Sequence, residues 1–213
     1  MAITITNTRP EHAEAIEIHQ RICFPTLLDE DLLKREHVLR HLELFPAGQH
    51  VALDGARVVG MSTTFRATTE QAFRPHSFHD IIDAGWLSHH QPDGEWLYGV
   101  DVSVHPDYRG QGISRMLYDA RKALIRQLGM RGMIAGGMMP GFHLHRDRMS
   151  AEEYVAAVAA GQLTDPTLTP QLKSGFVIRG VMYDYLEAGH LGNQAALIVW
   201  ENPDLSVSSE REL

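Results

Sequence analysis

Hydrophobic and polar positions alternate in short blocks at the start of the chain, which predicts a strand followed by a helix. Residues 3–6 alternate with the period of a strand. Thr8 followed three residues later by Glu11 is typical of a helix start, and the helix is expected to run to about Cys23. The residues that this pattern turns toward the core are Ala15, Ile18 and Ile22.

The next stretch predicts a helix and then a β-hairpin. Residues 31–45 carry a helical pattern that ends before Pro46, with one apolar face made of Leu32, Leu39 and Leu42. Residues 50–53 and 57–65 are β-rich runs on either side of Asp54-Gly55, a strong hairpin signal. Residues 68–94 are interpreted as an inserted surface segment with a short helix over 77–84.

The centre of the chain has the clearest alternation. Residues 95–104 read as a strand that His105-Pro106-Asp107 interrupts. A helix is predicted over 113–128, and Gly129 suits the position just after its end. The apolar face expected for this helix consists of Ile113, Met116, Leu117, Ala120, Leu124 and Leu128.

The last part predicts a buried strand, a capped helix and two more strands. The Gly- and Met-rich run 132–139 is typical of a buried strand, and Ser150 with Glu153 forms a capping box for a helix to Ala160. Residues 177–185 and 195–201 are the final strands. No repeat or linker divides residues 1–213, so one α/β domain is expected.

Composition narrows the function classes. No apolar run reaches the length of a membrane span and no secretory signal is visible, so a cytoplasmic protein is expected. Cys23 is the single cysteine, which excludes an internal disulfide and thiolate-rich zinc sites. The net charge of −8 argues against nucleic acid as a partner. It suits cationic partners such as amines, although an acidic surface also simply keeps a protein soluble.

The segment 102–114 is the one with a chemical signature. A strand, a polar turn and a helix follow one another, and the turn holds Arg109, Gly110 and Gly112. The first amides of a helix have no intrahelical partner, and glycines let a phosphate come close to them. The spacing matches neither a Rossmann fingerprint nor a Walker A loop. The turn is therefore expected to bind a diphosphate, unless its glycines only shape a strand–turn–helix.

These residues resemble the GNAT superfamily of N-acetyltransferases, whose signature is Arg/Gln-x-x-Gly-x-Gly/Ala. Arg109, Gly112 and Ser114 occupy the three signature positions, and Gly175-Phe176 resembles a Gly-Phe pair late in that fold. Ser114 departs from the usual Gly or Ala. The stretch 137–154 is similar to GNAT domains that precede a carbon–nitrogen hydrolase domain. The resemblance implies a mixed, mostly antiparallel sheet of six or seven strands with helices on both faces.

The resemblance also implies acetyl-CoA or another acyl-CoA as co-substrate, lying in a gap where two central strands splay apart. An amine would attack the thioester directly, with no covalent enzyme intermediate. A non-catalytic acyl-CoA-binding or regulatory module is the alternative. The residues that the resemblance assigns to CoA are Val102, Ser103, Val104, Arg109, Gly110, Gln111, Gly112, Ile113 and Ser114.

Acid and base residues carry over only in part. Many superfamily members use a tyrosine four residues before the Gly-Phe pair as the acid, and this chain has Gln171 there. Tyr154 is the substitute candidate acid, with packing as the alternative, and Asp101 is the candidate base, with a sheet-edge charge as the alternative. His143 and His145 are candidates for the acceptor pocket, or else belong to a solvated loop.

The partners expected are a small-molecule amine or a peptide or protein amine. A homodimer is compatible with the sequence, and neither a membrane nor a nucleic acid is expected. The paired histidines lie in loops without the carboxylate-plus-histidine spacing of a zinc helix, so no metal site is expected.

Overall fold

The computed structural model of the chain describes residues 2–208, and its strands form one sheet. The strands are β1 (Thr4–Asn7), β2 (His50–Asp54), β3 (Arg57–Ala67), β4 (Trp96–Val104), β5 (Gly132–Met138), β6 (Val177–Met182) and β7 (Ala195–Glu201). Their order across the seven-stranded sheet is β1-β2-β3-β4-β5-β7-β6. The neighbours β4 and β5 run parallel, and the other neighbouring pairs run antiparallel. The mostly antiparallel mixed sheet predicted above is confirmed.

Eight α-helices accompany these strands within the described residues. They are α1 (Ala13–Cys23), α2 (Arg35–Leu44), α3 (Thr69–Phe73), α4 (Phe78–Ile81), α5 (Ile113–Gln127), α6 (Ala151–Ala159), α7 (Leu168–Lys173) and α8 (Pro203–Ser208). Residues on α1 and α2 pack on Val51 and Met61, whereas those on α5 pack on Ala52 and Val59. Because successive side chains of a strand point to opposite faces, helices cover both faces of the sheet.

The predicted turns and caps of the hairpin and of α6 are present. Gly55 has a φ of 60° between β2 and β3, a conformation that favours glycine. The Ser150 side chain accepts from the Glu153 amide at 3.2 Å, and the Ser150 amide donates to Glu153 Oε2 at 2.7 Å. Gly129 follows α5 with a φ of 62°, in agreement with its expected place after the helix.

The predicted inner face of α1 is wrong at two of its three residues, and only Ala15 packs against the core. Ile18 and Ile22 are 55% and 41% exposed. The α-helix begins at Ala13 after a 3₁₀ turn over Pro10–His12, rather than at a Thr8 cap. The buried residues are Ala13, Ile16, His19, Gln20 and Cys23. Two of these five residues, His19 and Gln20, are polar and contact Ser103 and Asp101 on β4, so a pattern of apolar positions alone does not identify this face.

The prediction for α5 is right in its bounds and partly wrong in its inner face. Met116 and Leu128 are exposed, whereas Arg121 is among the most buried residues of the molecule. The Arg121 guanidinium donates from Nε to Ser62 Oγ at 2.6 Å and from Nη2 to the Thr63 carbonyl at 2.9 Å. It also donates to the Asp101 carbonyl, so it ties α5 to both β3 and β4. These bonds explain how a charged residue occupies the core.

Candidate active site

The parallel strands β4 and β5 separate halfway along β4. Their pairing runs from Trp96 with Gly132 to Gly99 with Ala135, and β4 then continues to Val104 on β3 alone. A bulge interrupts the β3–β4 register between Thr63 and Thr64. Bulges re-aim backbone groups and often lie beside functional sites. The separation leaves a gap in the sheet between the second half of β4 and β5.

The backbone of β4 offers hydrogen-bonding groups to this gap. His105 donates its amide to the Val59 carbonyl on β3 at 2.9 Å. Alternate residues of a strand point their backbone groups to opposite edges, so those of Val102 and Val104 point toward the gap. An extended, amide-containing chain can pair with them as an added strand does. The expected splaying of two central strands is present here.

A groove of about 620 Å³ runs from this gap to the start of α5. Gly110 and Gly112 line it with φ values of 77° and 78°, and a Cβ added to either would meet no atom within 4 Å. Open space lies over the amino end of a 15-residue helix, where free amides and the helix dipole attract an anion. Of the residues assigned to CoA above, those lining the groove are Val102, Ser103, Val104, Arg109, Gly110, Gly112, Ile113 and Ser114.

Side-chain contacts hold this turn in place. The Tyr108 hydroxyl donates to Asp54 Oδ2 at 2.9 Å, and the Arg57 guanidinium lies 5.4 Å from the centre of the Tyr108 ring. Arg109 donates from Nε to the Val104 carbonyl at 3.3 Å and is otherwise exposed. Gln111 is exposed and is not among the residues that line the groove. The turn is thus anchored to the β2–β3 hairpin.

A second space, here called the inner cavity, adjoins the groove at the fork of β4 and β5. It has a volume of about 180 Å³ and reaches Gly99, Asp101 and Arg121. The residues that line both spaces are Phe24, Leu27, Val102, Tyr118, Met138, Thr167, Gln171 and Leu186. A molecule that fills the groove therefore meets a molecule in the inner cavity beside Tyr118 and Gln171.

Asp101 lines the inner cavity, and its carboxylate is set for proton exchange near neutral pH. Burial raises its pKa to about 6, against the smaller opposing effects of the Gln20 hydrogen bond, the Arg121 charge and Ser103. Gln20 Nε2 donates to Asp101 Oδ2, and the Ser103 hydroxyl lies 3.5 Å from the same oxygen. The structure thus places the predicted base in a cavity and not on an exposed sheet edge.

A chain of polar groups continues behind Asp101. Ser103 Oγ lies 3.1 Å from His19 Nε2, which is 3.3 Å from Cys23 Sγ. Burial lowers the pKa of His19 to about 4 and raises that of Cys23 to about 12. The imidazole is therefore neutral and the thiol protonated at neutral pH, which argues against Cys23 as a nucleophile.

Tyr118 lines both spaces and was missed by the sequence patterns, and Gln171, noted above at the position of the family's acid, lies beside it. Gln171 Nε2 donates to the Tyr118 hydroxyl at 3.3 Å, and Gln171 Oε1 is buried with no partner in the described structure. Phe176 packs edge-on against the Tyr118 ring at 5.4 Å, and Arg121 lies 5.7 Å from the ring centre. Burial raises the pKa of Tyr118, so it stays protonated at neutral pH. The one available signal was that Gln171 stands where the family has an acid.

Tyr154, the candidate acid of the sequence analysis, lies away from Tyr118 and Gln171. Its side chain is fully buried, packs against Phe142 and His145, and donates its hydroxyl to Asp165 Oδ2 at 2.9 Å. It lines neither the groove nor the inner cavity. The packing alternative given for Tyr154 therefore describes its surroundings better than the role of an acid does.

His143 and His145 line a separate depression of about 560 Å³. It meets the groove at Pro140, Pro166, Pro170 and Leu191. His143 Nδ1 lies near the Pro140 carbonyl, and the His143 ring is 5.5 Å from that of His190. Both histidines are thus outside the inner cavity, at the flank of the groove.

Residues 2–208 contain neither a candidate membrane span nor a candidate metal cluster. None of the helices described there is long and apolar enough to cross a bilayer. No group of three or more His, Cys, Asp or Glu residues in that range is arranged to hold a metal ion.

The fold and the forked strands define a GNAT-type domain, and comparison with known proteins agrees. The model of the acetyltransferase (GNAT) family matches residues 13–145. The chain belongs to this family, as the signature at Arg109–Ser114 predicted. It is 32% identical over 94% of its length to YkwB of Bacillus subtilis (strain 168), called an uncharacterized N-acetyltransferase, and covers 89% of that protein.

A second relative is longer than this chain. The probable hydrolase YhcX of Bacillus subtilis (strain 168) is 36% identical over 95% of the chain. The chain spans 39% of the length of YhcX. The match therefore concerns one part of YhcX, and the name of that whole protein describes more than the matched part.

Solved structures share the fold at low identity. The GphF GNAT-like decarboxylase in complex with isobutyryl-CoA has a TM-score of 0.78 at 19% identity, over 93% of this chain and 99% of GphF. The protein yncA of Salmonella typhimurium, solved with its cofactor acetyl-CoA, has a TM-score of 0.58 at 13% identity, over 96% of each chain. Both relatives of the fold hold an acyl-CoA.

Proposed function

We propose that this protein transfers an acyl group, most simply acetyl, from acyl-CoA to a primary amine by direct attack. The observation that carries the proposal is the groove that joins the Gly110–Gly112 turn to the fork of β4 and β5. The diphosphate lies on the amino end of α5, and the pantetheine arm pairs with the backbone of Val102 and Val104. The thioester then lies at the junction of the groove and the inner cavity.

Asp101 is the base of the proposed reaction. It takes the proton of the amine, directly or through water, and the neutral nitrogen attacks the thioester carbon. A carboxyl pKa of about 6 means that the base is largely ionised at pH 7 and still accepts a proton. Gln20 and Ser103 hold the carboxylate in place on the wall of the cavity.

Tyr118 is the acid of the proposed reaction. When the C–N bond forms and the C–S bond breaks, the CoA sulfur leaves as a thiolate and takes the phenolic proton of Tyr118. The new amide nitrogen releases its extra proton, and the Tyr118 phenolate regains a proton from it through water, so the acid is restored. Because Gln171 donates to the Tyr118 oxygen, the hydroxyl proton stays available for the groove. Gln171 is thus a positioning residue, and Tyr118 supplies the hydroxyl that a tyrosine at position 171 would supply in other family members.

A non-catalytic acyl-CoA-binding module is the second candidate, favoured by Gln171 in the place of the usual acid. Two measurements separate the candidates. Millimolar CoA should raise the melting temperature, because a ligand that binds only the folded state stabilises it by RT ln(1 + [L]/Kd). Incubation with acetyl-CoA and a panel of primary amines should then release free thiol. Binding without turnover on any amine supports the module, and an unchanged melting temperature contradicts both candidates.

A further inference from the structure

The inner cavity has the lining of a site for a small molecule with an apolar body. Aliphatic and aromatic side chains form a large part of its lining, namely Leu27, Leu33, Phe78, Val100 and Leu186. Its volume of about 180 Å³ is comparable with the cavity of about 150 Å³ that admits benzene in an engineered protein. The space accommodates one aromatic ring with a short alkyl arm.

Two carboxylates and one guanidinium also line the inner cavity. Asp31 and Asp101 line the cavity from the loop after α1 and from β4. Arg121 lines it too, but its Nε and Nη2 are bound to Ser62, Thr63 and the Asp101 carbonyl, and its Nη1 faces the Met133 sulfur at 3.9 Å. The guanidinium is therefore occupied by hydrogen bonds to β3 and β4. The charged side chains left to bind a ligand in the cavity are acidic.

A third acceptor points to the same kind of ligand. Gln171 Oε1 is buried without a partner, on a side chain that is 7% exposed and lines the cavity. An unsatisfied buried oxygen costs free energy, which favours a turn of the amide that brings this oxygen to an N–H donor in the cavity. Gln171 lies close to Gly137, where an added Cβ would come within 2.6 Å of Oε1.

The structure assigns the inner cavity to a small primary amine with an apolar, ring-sized body and no carboxylate, held by Asp31 and delivered to Asp101. This inference rests on the proposed function, because it takes the cavity as the acceptor side of the same site. A carboxylate on the acceptor would enter a wall whose available charges are negative, and a peptide would exceed the space. Phenethylamine is a suitable probe, and phenylalanine is the same skeleton with a carboxylate added.

The first test compares acceptors on the full chain. We expect acetyl transfer from acetyl-CoA to phenethylamine with a kcat/KM at least about 100-fold above that for phenylalanine. This is the scale expected when Asp31 and Asp101 both repel the added carboxylate. A short peptide with a free amino terminus is the third acceptor. Equal or better use of phenylalanine or of the peptide overturns the inference while the proposed acyltransferase stands.

The second test uses two acids of one turn, Asp31 and Glu30. Asp31→Asn should raise the KM for phenethylamine by about tenfold, through loss of one charge-assisted hydrogen bond, and change kcat less. Glu30→Gln removes the same charge from the adjacent exposed residue, which does not line the cavity, and should leave both constants unchanged. Equal effects of the two variants would show only a general charge effect and overturn the assignment of Asp31.

A binding readout separates this inference from the proposed function. Calorimetry with CoA present should detect phenethylamine binding to the wild type and weaker binding to Asp31→Asn. Binding without acetylation would contradict the proposed reaction and support the site. Acetylation of other amines, with no binding of phenethylamine, would contradict the site and support the reaction.

Discussion

Two buried tyrosines, Tyr118 on α5 and Tyr154 on α6, differ in the hydrogen bonds around their hydroxyls. The Tyr154 hydroxyl donates to Asp165, whose carboxylate also accepts from the amides of Gly141, Thr167 and Leu168. Each of these groups is paired. Gln171, the partner of the Tyr118 hydroxyl, keeps an unpartnered oxygen, and both side chains face open space.

The difference shows which kind of buried polar group indicates function. A satisfied cluster rigidifies the fold and has no capacity left for a ligand. A cluster with an unused acceptor and an available proton has a free-energy cost that a ligand can remove. The sequence offered Tyr154 alone as the candidate acid, whereas the structure favours Tyr118 because an acceptor remains unpaired beside it.

The role given to Tyr118 requires CoA to lie in the groove. Gly112→Val is the substitution expected to weaken CoA binding most strongly. The new side chain points into the open space over the amino end of α5, so CoA binding should be abolished. The φ of 78° also strains a valine there, which the sequence alone did not reveal.

Gly129→Val is the matched control for this strain. Gly129 ends the same helix with a φ of 62° and no atom within 4 Å of an added Cβ, and it does not line the groove. It should lose similar stability and bind CoA normally by calorimetry. If Gly112→Val binds CoA as well as Gly129→Val does, the phosphate site lies elsewhere.

The next effect in size is that of Tyr118→Phe. Loss of the acid should lower kcat by about 100-fold with little change in the KM for acetyl-CoA. A second variant, Tyr118→Phe with Gln171→Tyr, should recover part of the rate, because it restores a hydroxyl at the position other family members use. A kcat within threefold of the wild type in Tyr118→Phe would show that the thiolate leaves without help from this residue.

The fold was more predictable from sequence than the site, for a physical reason. Alternation and turn residues report burial and backbone shape, so the hairpin around Gly55 and the turn at Gly110–Gly112 were foreseen. Hydrogen-bond partners distant in sequence leave no such pattern: Tyr118 and Gln171 are joined across α5 and α7. The polar inner face of α1 was missed likewise, because Gln20 and His19 are buried only through Asp101 and Ser103 on β4.

The raised pKa of Asp101 predicts how kcat depends on pH. The base acts when ionised, so kcat should rise with pH through about 6 and then level off, because burial raises the pKa of Tyr118 and keeps the acid protonated. Asp101→Asn should lower kcat and remove the rise near pH 6. A pH–rate profile that keeps this rise in the variant would assign it to another group.

The raised pKa of Asp101 also predicts how the free energy of unfolding changes with pH. The folded state favours protonated Asp101, so its contribution is present below pH 3.8, the usual carboxyl pKa, and is lost as the pH rises through about 6. Asp101→Asn should therefore be more stable than the wild type at pH 8, and the difference should shrink toward pH 4. Urea unfolding at the two pH values measures this, and a variant less stable at pH 8 would contradict it.

The smallest effect is expected for Tyr154→Phe. Asp165 keeps its three backbone donors, so the change should cost about 1 kcal/mol of unfolding free energy and alter kcat by less than about threefold. Urea unfolding and the free-thiol assay measure the two quantities. A loss of kcat near 100-fold here, with Tyr118→Phe unaffected, would reverse the assignment of the two tyrosines.

A crystal structure of the protein with CoA tests the central claim most directly. We expect the diphosphate on the amides of residues 110–114, the pantetheine arm along Val102 and Val104, and the sulfur within hydrogen-bonding distance of the Tyr118 hydroxyl at the mouth of the inner cavity. A sulfur beside Tyr154, or a CoA molecule bound outside the groove, would contradict the account.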